Sequence, residues 1–206
     1  MAFHDDLKKA LIARLGVKNV SFYPGWDNKK RGIGWADDSK KPVALLCHHT
    51  AGAATDSTNP SHKGNTKVAD QPQATYVQTH YEVPAANFTL GRSGHLWVHA
   101  AYPVWHAGKG SFKGVEPYNK LGIPDDQGND WMLGVECISK GLKKDFTQVE
   151  KDNLGKLAQA CKDAAGWGEK FTYRLPNHRT WTDRKIDTLY TLETLKAWAI
   201  NQKGKS

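Results

Sequence analysis

Five consecutive apolar residues, Val43-Ala44-Leu45-Leu46-Cys47, follow Pro42 and run directly into His48-His49-Thr50. A run of this kind has no polar face to offer water, so it reads as a central strand buried on both sides. Such a strand needs neighbours, and the chain supplies them. Residues 86–90, the turn Gly91-Arg92-Ser93-Gly94 and Leu96-Trp97-Val98 have the form of a hairpin. Residues 132–138 make a third apolar run. Residues 6–15 read as an amphipathic helix with Leu7, Leu11 and Leu15 on one face. Thr147-Gln148-Val149-Glu150 has the form of a capping box. It opens a helix whose Leu154, Leu157, Ala158, Cys161 and Ala165 share a face, and Gly166 and Gly168 stop it. A last helix near 191–202 carries Leu192, Leu195 and Ala199. This order predicts a single α/β or α+β domain, with a central mixed β-sheet flanked by helices.

The connecting segments are long. Residues 16–41 are rich in Gly, Asp, Lys and aromatic residues and read as an ordered wrapping segment. With the first helix they form an N-terminal unit, residues 1–41, ahead of a main domain at 42–206. Residues 51–75 are small and polar and read as a long loop, and residues 107–130 are again loop-like.

With 39% hydrophobic and 24% charged residues the composition is that of a globular protein, which excludes wholesale disorder. No stretch reaches the length of a membrane span. The first fifteen residues carry Asp5, Asp6, Lys8 and Lys9 and lack the apolar run of a secretory signal, so synthesis in a cytoplasm is expected. Three cysteines, Cys47, Cys137 and Cys161, are too few and too scattered for a disulfide framework and are expected as small buried hydrophobes. The net charge of +8 favours a polyanionic partner. The basic residues form no stripe and no base-reading motif accompanies them, which argues against nucleic acid.

Three features carry chemistry. His48 and His49 stand at the end of the buried run, where a sheet holds a side chain rigidly and points successive residues to opposite faces. His178 and Asp187 lie nine positions apart in a charged stretch, too far to share a helix face, and converge only if the intervening loop folds back. Two histidines and an aspartate make a plausible catalytic zinc set, three protein ligands with an open fourth position. Glu136 interrupts the third apolar run, where a carboxylate is costly unless paired or placed at a site. It reads either as an edge-strand glutamate facing water or as a general base beside a metal.

Four motifs in chain order, Leu45-Leu46-Cys47-His48-His49-Thr50-Ala51, Trp105-His106-Ala107-Gly108, Leu133-Gly134-Val135-Glu136 and His178-Arg179 through Lys185-Ile186-Asp187, resemble the zinc-dependent N-acetylmuramoyl-L-alanine amidases of the type 2 family. That family includes phage endolysins and is related to peptidoglycan-recognition proteins, and the resemblance covers residues 42–200. It implies the type 2 amidase fold, one zinc ion on His48, His178 and Asp187, and catalytic roles for Glu136 and Lys185. His49 then points elsewhere. The resemblance also implies substrate contacts for His106 and, less directly, Asn129. Where some members carry a catalytic tyrosine this chain reads Ala86-Asn87-Phe88-Thr89-Leu90, so no tyrosine is assigned. The implied substrate is peptidoglycan, cut between N-acetylmuramic acid and L-alanine by a zinc-activated water. The implied setting is a monomeric endolysin that reaches the cell wall after release. A non-cutting recognition module and a cytoplasmic enzyme of muropeptide recycling are the alternatives.

Overall fold

The computed structural model describes residues 2–27, 41–51, 66–168 and 174–202. Within them the elements run α1 (Phe3–Leu15), β1 (Val20–Phe22), β2 (Ala44–His49), α2 (Lys67–Thr79), β3 (Phe88–Leu90), β4 (Leu96–Val98), β5 (Met132–Cys137), α3 (Gly128–Trp131, just before β5), α4 (Gln148–Ala165), α5 (His178–Trp181) and α6 (Leu192–Asn201). The five described strands form one mixed sheet in the order β1-β4-β3-β5-β2. Strands β3 and β4 pair antiparallel, as the hairpin reading expects, and the remaining pairs are parallel.

Alternation along the strands separates two layers. Leu45, Cys47, Phe88, Leu90, Leu96, Val98, Leu133, Val135 and Cys137 face one side and are buried against α1, α4 and α6. Phe3, Leu7, Leu11 and Leu15 join that same core, so the first helix is part of the main body. Leu11 is fully buried. Leu11→Ala is expected to cost about 2–5 kcal/mol, read as a lower denaturant midpoint at unchanged slope. The opposite face carries Ala44, Leu46 and Met132, covered by Ala107, Phe112, Tyr118, Leu121 and Trp181. Helix α2 lies on this face too, where its Gln71 accepts a hydrogen bond from Trp97 Nε1 at 3.1 Å.

The capping box at Thr147 and Glu150 is present in full, and α4 ends at Gly166 in the left-handed conformation. Cys47, Cys137 and Cys161 are free and buried.

Three sequence expectations are corrected. Strand β2 is buried at every position but lies at the sheet edge rather than its centre. Its free side is covered by the 176–177 segment, since Cys47 N donates to Pro176 O at 2.9 Å and Cys47 bridges Asn177. Second, helix α2 begins inside the 51–75 stretch read as loop. Thr66 caps it by accepting from Ala69 N, and Pro72 sits in its second turn, where it forgoes the amide bond to Val68 O. Third, the 16–41 segment contributes an edge strand, β1. The remainder of these two readings, residues 28–40 and 52–65, lies outside the described residues.

Candidate metal centre and cleft

Parallel pairing of β2 with β5 sets His48 directly beside Glu136, so both side chains rise from the same face. His49, one residue on, turns to the other face and packs over Gly141. The distal ligand candidates arrive by a different route. Asn177 caps α5 by accepting from Thr180 N, donates through Nδ2 to Tyr190 O, and is bridged to Cys47. His178, the first residue of α5, is thereby held beside the end of β2. The chain then loops out and returns, and Arg179 N donates to Asp187 O at 2.9 Å. That backbone bond closes the nine-residue gap.

The three side chains meet. His48 Nδ1 and His178 Nδ1 are 2.9 Å apart, and both face Asp187 Oδ2, at 3.3 and 3.1 Å. All three residues are buried. Among the described residues they form the group of histidine and carboxylate side chains suited to hold a metal ion.

The proton positions follow from the outer partners. His106 Nε2 lies 3.0 Å from Met132 O and must donate to it, which leaves His106 Nδ1 as an acceptor. His48 Nε2, 3.2 Å from that acceptor, therefore carries the proton. His178 Nε2 donates to Ala107 O at 3.0 Å. Burial lowers the pKa of His106, and it lowers that of His48 to about 4, with the charge of Asp187 opposing the shift. With the Nε2 positions taken up by these outer partners, the two Nδ1 atoms and the Asp187 carboxylate oxygen turn toward one another.

Such a donor set fits zinc. At bond lengths of about 2.0–2.1 Å a tetrahedral ion holds neighbouring ligand atoms about 3.3–3.4 Å apart, within a few tenths of an ångström of the three separations here. Burial alone would raise the Asp187 pKa, but the close approach of His178 and His48 to its Oδ2 outweighs it and holds the carboxyl far below its ordinary range. The one anionic donor thus stays ionised.

Glu136 stands beside this group on an interior strand. Its Oε2 is buried without a hydrogen-bond partner among the described residues. Burial, reinforced by the nearby Asp187 charge and opposed by Lys185, pushes its pKa up to about 8. A carboxyl with a free buried oxygen beside a metal set is placed to exchange a proton with whatever occupies the cavity.

That cavity has a volume of about 850 Å³, and His48, Glu136, His178, Lys185 and Asp187 line it. Its rims carry Tyr76, Tyr81, Trp105, Leu142 and Ile186, large apolar side chains that are exposed, Leu142 to 85%. Lys140 and Arg184 add cations to Lys185. His106 also lines the cleft but is only 8% exposed, with both ring nitrogens engaged inside the protein. Asn129 is not among the lining residues; its Oδ1 accepts from His106 N and Ala107 N at 2.9 and 2.7 Å.

Sequence reasoning passed over Tyr76 and Tyr81. Their signal was the spacing Tyr76, His80, Tyr81: once α2 is recognised as a helix, Tyr76 stacks on His80, and His80 meets Tyr81 edge-on. The Ala107 carbonyl leaves no signal in a sequence at all.

A family model described as N-acetylmuramoyl-L-alanine amidase matches residues 38–189. No curated protein matches the sequence. Among solved structures the fold is similar to a crystal structure of a selenomethionine AmpD derivative, with 15% identity and a TM-score of 0.53 over 87% of this chain and 93% of that one. It is similar also to the Ph2119 endolysin from the Thermus scotoductus MAT2119 bacteriophage Ph2119, with 10% identity and a TM-score of 0.50 over 87% and 98% of the two chains. At such identities the likeness is one of fold, and it agrees with a mixed sheet flanked by helices.

Proposed function

The chain belongs to the N-acetylmuramoyl-L-alanine amidase family, and from that premise we propose that it hydrolyses the amide between N-acetylmuramic acid and L-alanine in intact peptidoglycan, as an endolysin does. The observation that carries this reading is the convergence of two Nδ1 lone pairs and the Asp187 carboxylate beside Glu136.

His48, His178 and Asp187 would hold the zinc ion. When bound, zinc supplies a Lewis acid that polarises the scissile carbonyl and makes water more acidic. Glu136 accepts the proton that water loses as its oxygen attacks the carbonyl carbon. Lys185, exposed at the cleft wall, places its ammonium near the oxygen on which negative charge develops. Glu136 then delivers its proton to the alanine nitrogen as the C–N bond breaks, leaving a lactyl carboxylic acid and an amine, between which the remaining proton of the water redistributes to give carboxylate and ammonium. Glu136 must be ionised to begin. Lys185 and the divalent charge in the triad both favour that form. The apolar rims suit a long, amphipathic glycopeptide, and the net charge of +8 suits an anionic wall. No helix among the described residues is long and apolar enough to cross a membrane.

Mass spectrometry of purified sacculi after incubation with the zinc-loaded protein tests this. Stem peptides with a new L-alanine amino terminus, beside intact glycan, are the expected products. Cleavage confined to small soluble muropeptides would replace the lytic role with a recycling one. Binding to sacculi without any such product would overturn the hydrolase reading.

A further inference from the structure

The loop Trp105-His106-Ala107-Gly108 meets both histidines of the triad on the side away from the metal position. His106 Nδ1 takes the proton of His48 Nε2 at 3.2 Å, and the next residue's carbonyl takes that of His178 Nε2 at 3.0 Å. Two adjacent residues thus fix the ring orientation of two ligands that stand 130 positions apart in sequence. The loop is itself anchored. Asn129 Oδ1 accepts from the His106 and Ala107 amides, and His106 Nε2 donates to Met132 O. Its seat is built for an imidazole. A Cβ on Gly134, in the middle of a buried strand, would stand 2.5 Å from Cγ and Nδ1 of His106, so the glycine leaves the flat bed on which the ring lies.

We infer that His106 and the Ala107 carbonyl form a clamp that holds His48 and His178 in the one tautomer able to turn both Nδ1 atoms toward the same ion, and that His106 is a positioning residue rather than a substrate contact. This rests on the metal reading above. An imidazole free to flip or to carry its proton on Nδ1 cannot ligate from that atom, so the clamp acts on metal affinity before it acts on turnover.

The test is zinc affinity by chelator competition for wild type, His106→Asn and His106→Phe, with the melting temperature of each metal-free protein alongside. Both variants lose the bond to Met132 O. Asparagine carries its Oδ1 at the same bond count from the backbone as Nδ1 and keeps an acceptor for His48 Nε2; phenylalanine keeps the ring but no acceptor. His106→Phe is expected to bind zinc about 10–100-fold more weakly than wild type, and His106→Asn to lie within a few-fold of wild type. Equal weakening in both variants, or in neither, overturns the clamp while wild-type zinc binding leaves the metal reading standing. A wild-type protein that takes up no zinc overturns both. Should His106→Phe fail to fold, the long-range proton–nitrogen NMR spectrum of the zinc-loaded wild type decides. Protons on Nε2 of His48, His106 and His178 support the clamp, and a proton on Nδ1 of His106 overturns it.

Discussion

Asp187→Ala is expected to strip the protein of zinc and of activity together. The substitution removes the only anion from a three-donor set and leaves two neutral imidazoles, too few to hold a divalent ion against solvent and chelators. Losing a Lewis acid worth several kcal/mol should lower kcat/KM by on the order of 10³-fold or more. The fold has reason to survive. The bond that returns the loop to α5 runs from Arg179 N to the Asp187 carbonyl, which alanine retains. The side chain is buried but lines the cleft, so its removal widens that cleft and opens no cavity in the apolar core. Two measurements separate ligand loss from unfolding. Zinc content after dialysis should fall from about one ion per chain to near zero. Melting temperature should rise with added zinc in the wild type and stay flat in the variant, because a ligand stabilises only the state that binds it. A variant that keeps a full complement of zinc would remove Asp187 from the ligand set.

The parts of this site that could be read in the chain are those where a residue contradicts its immediate surroundings. Glu136 is a carboxylate inside Met132-Leu133-Gly134-Val135-Cys137-type apolar sequence, and His48 ends a run that otherwise has no polar atom. Each stands out because burying a polar group is costly. Helix α4 was legible for a similar local reason, since Thr147 and Glu150 satisfy one another's backbone donors within four residues. What escaped was written in pairing rather than in pattern. Strand β1 has three residues, too few to show alternation, and its partner Leu96–Val98 lies far along the chain. Helix α2 buries Ala69, Asp70, Ala74 and Val77, a stripe made of alanine and aspartate but for one valine, which gives little hydrophobic contrast. The edge position of β2 was hidden because both of its faces are packed in core layers, while a segment around Asn177 pairs along its free side. His106 has partners 58 and 26 residues away, and no periodicity connects them.

Glu136→Gln should leave zinc bound and the fold intact while lowering turnover by about 10²–10⁴-fold, the range expected for loss of a general acid–base. The amide keeps the shape of the carboxyl but can neither take the proton from water nor return it to the leaving nitrogen. The same substitution has a second, opposite consequence that activity does not report. In the folded protein without metal the Glu136 carboxyl titrates at about 8, against 4.5 ordinarily. Between those values the unfolded chain has released a proton that the folded chain still holds. Stability of the metal-free wild type from this group is therefore intact below about pH 4.5, falls as pH rises, and is fully lost above about pH 8. Glutamine does not titrate and lacks this slope. Thermal unfolding in chelator should show the variant gaining on wild type across that window, by on the order of a few kcal/mol at its upper end. Comparing the two proteins at each pH cancels the titration of His48 and the other histidines, which both share. A melting-temperature gap that does not change with pH would mean that Glu136 is not held protonated in the cleft, and the proton it is proposed to carry to the alanine nitrogen would need another source.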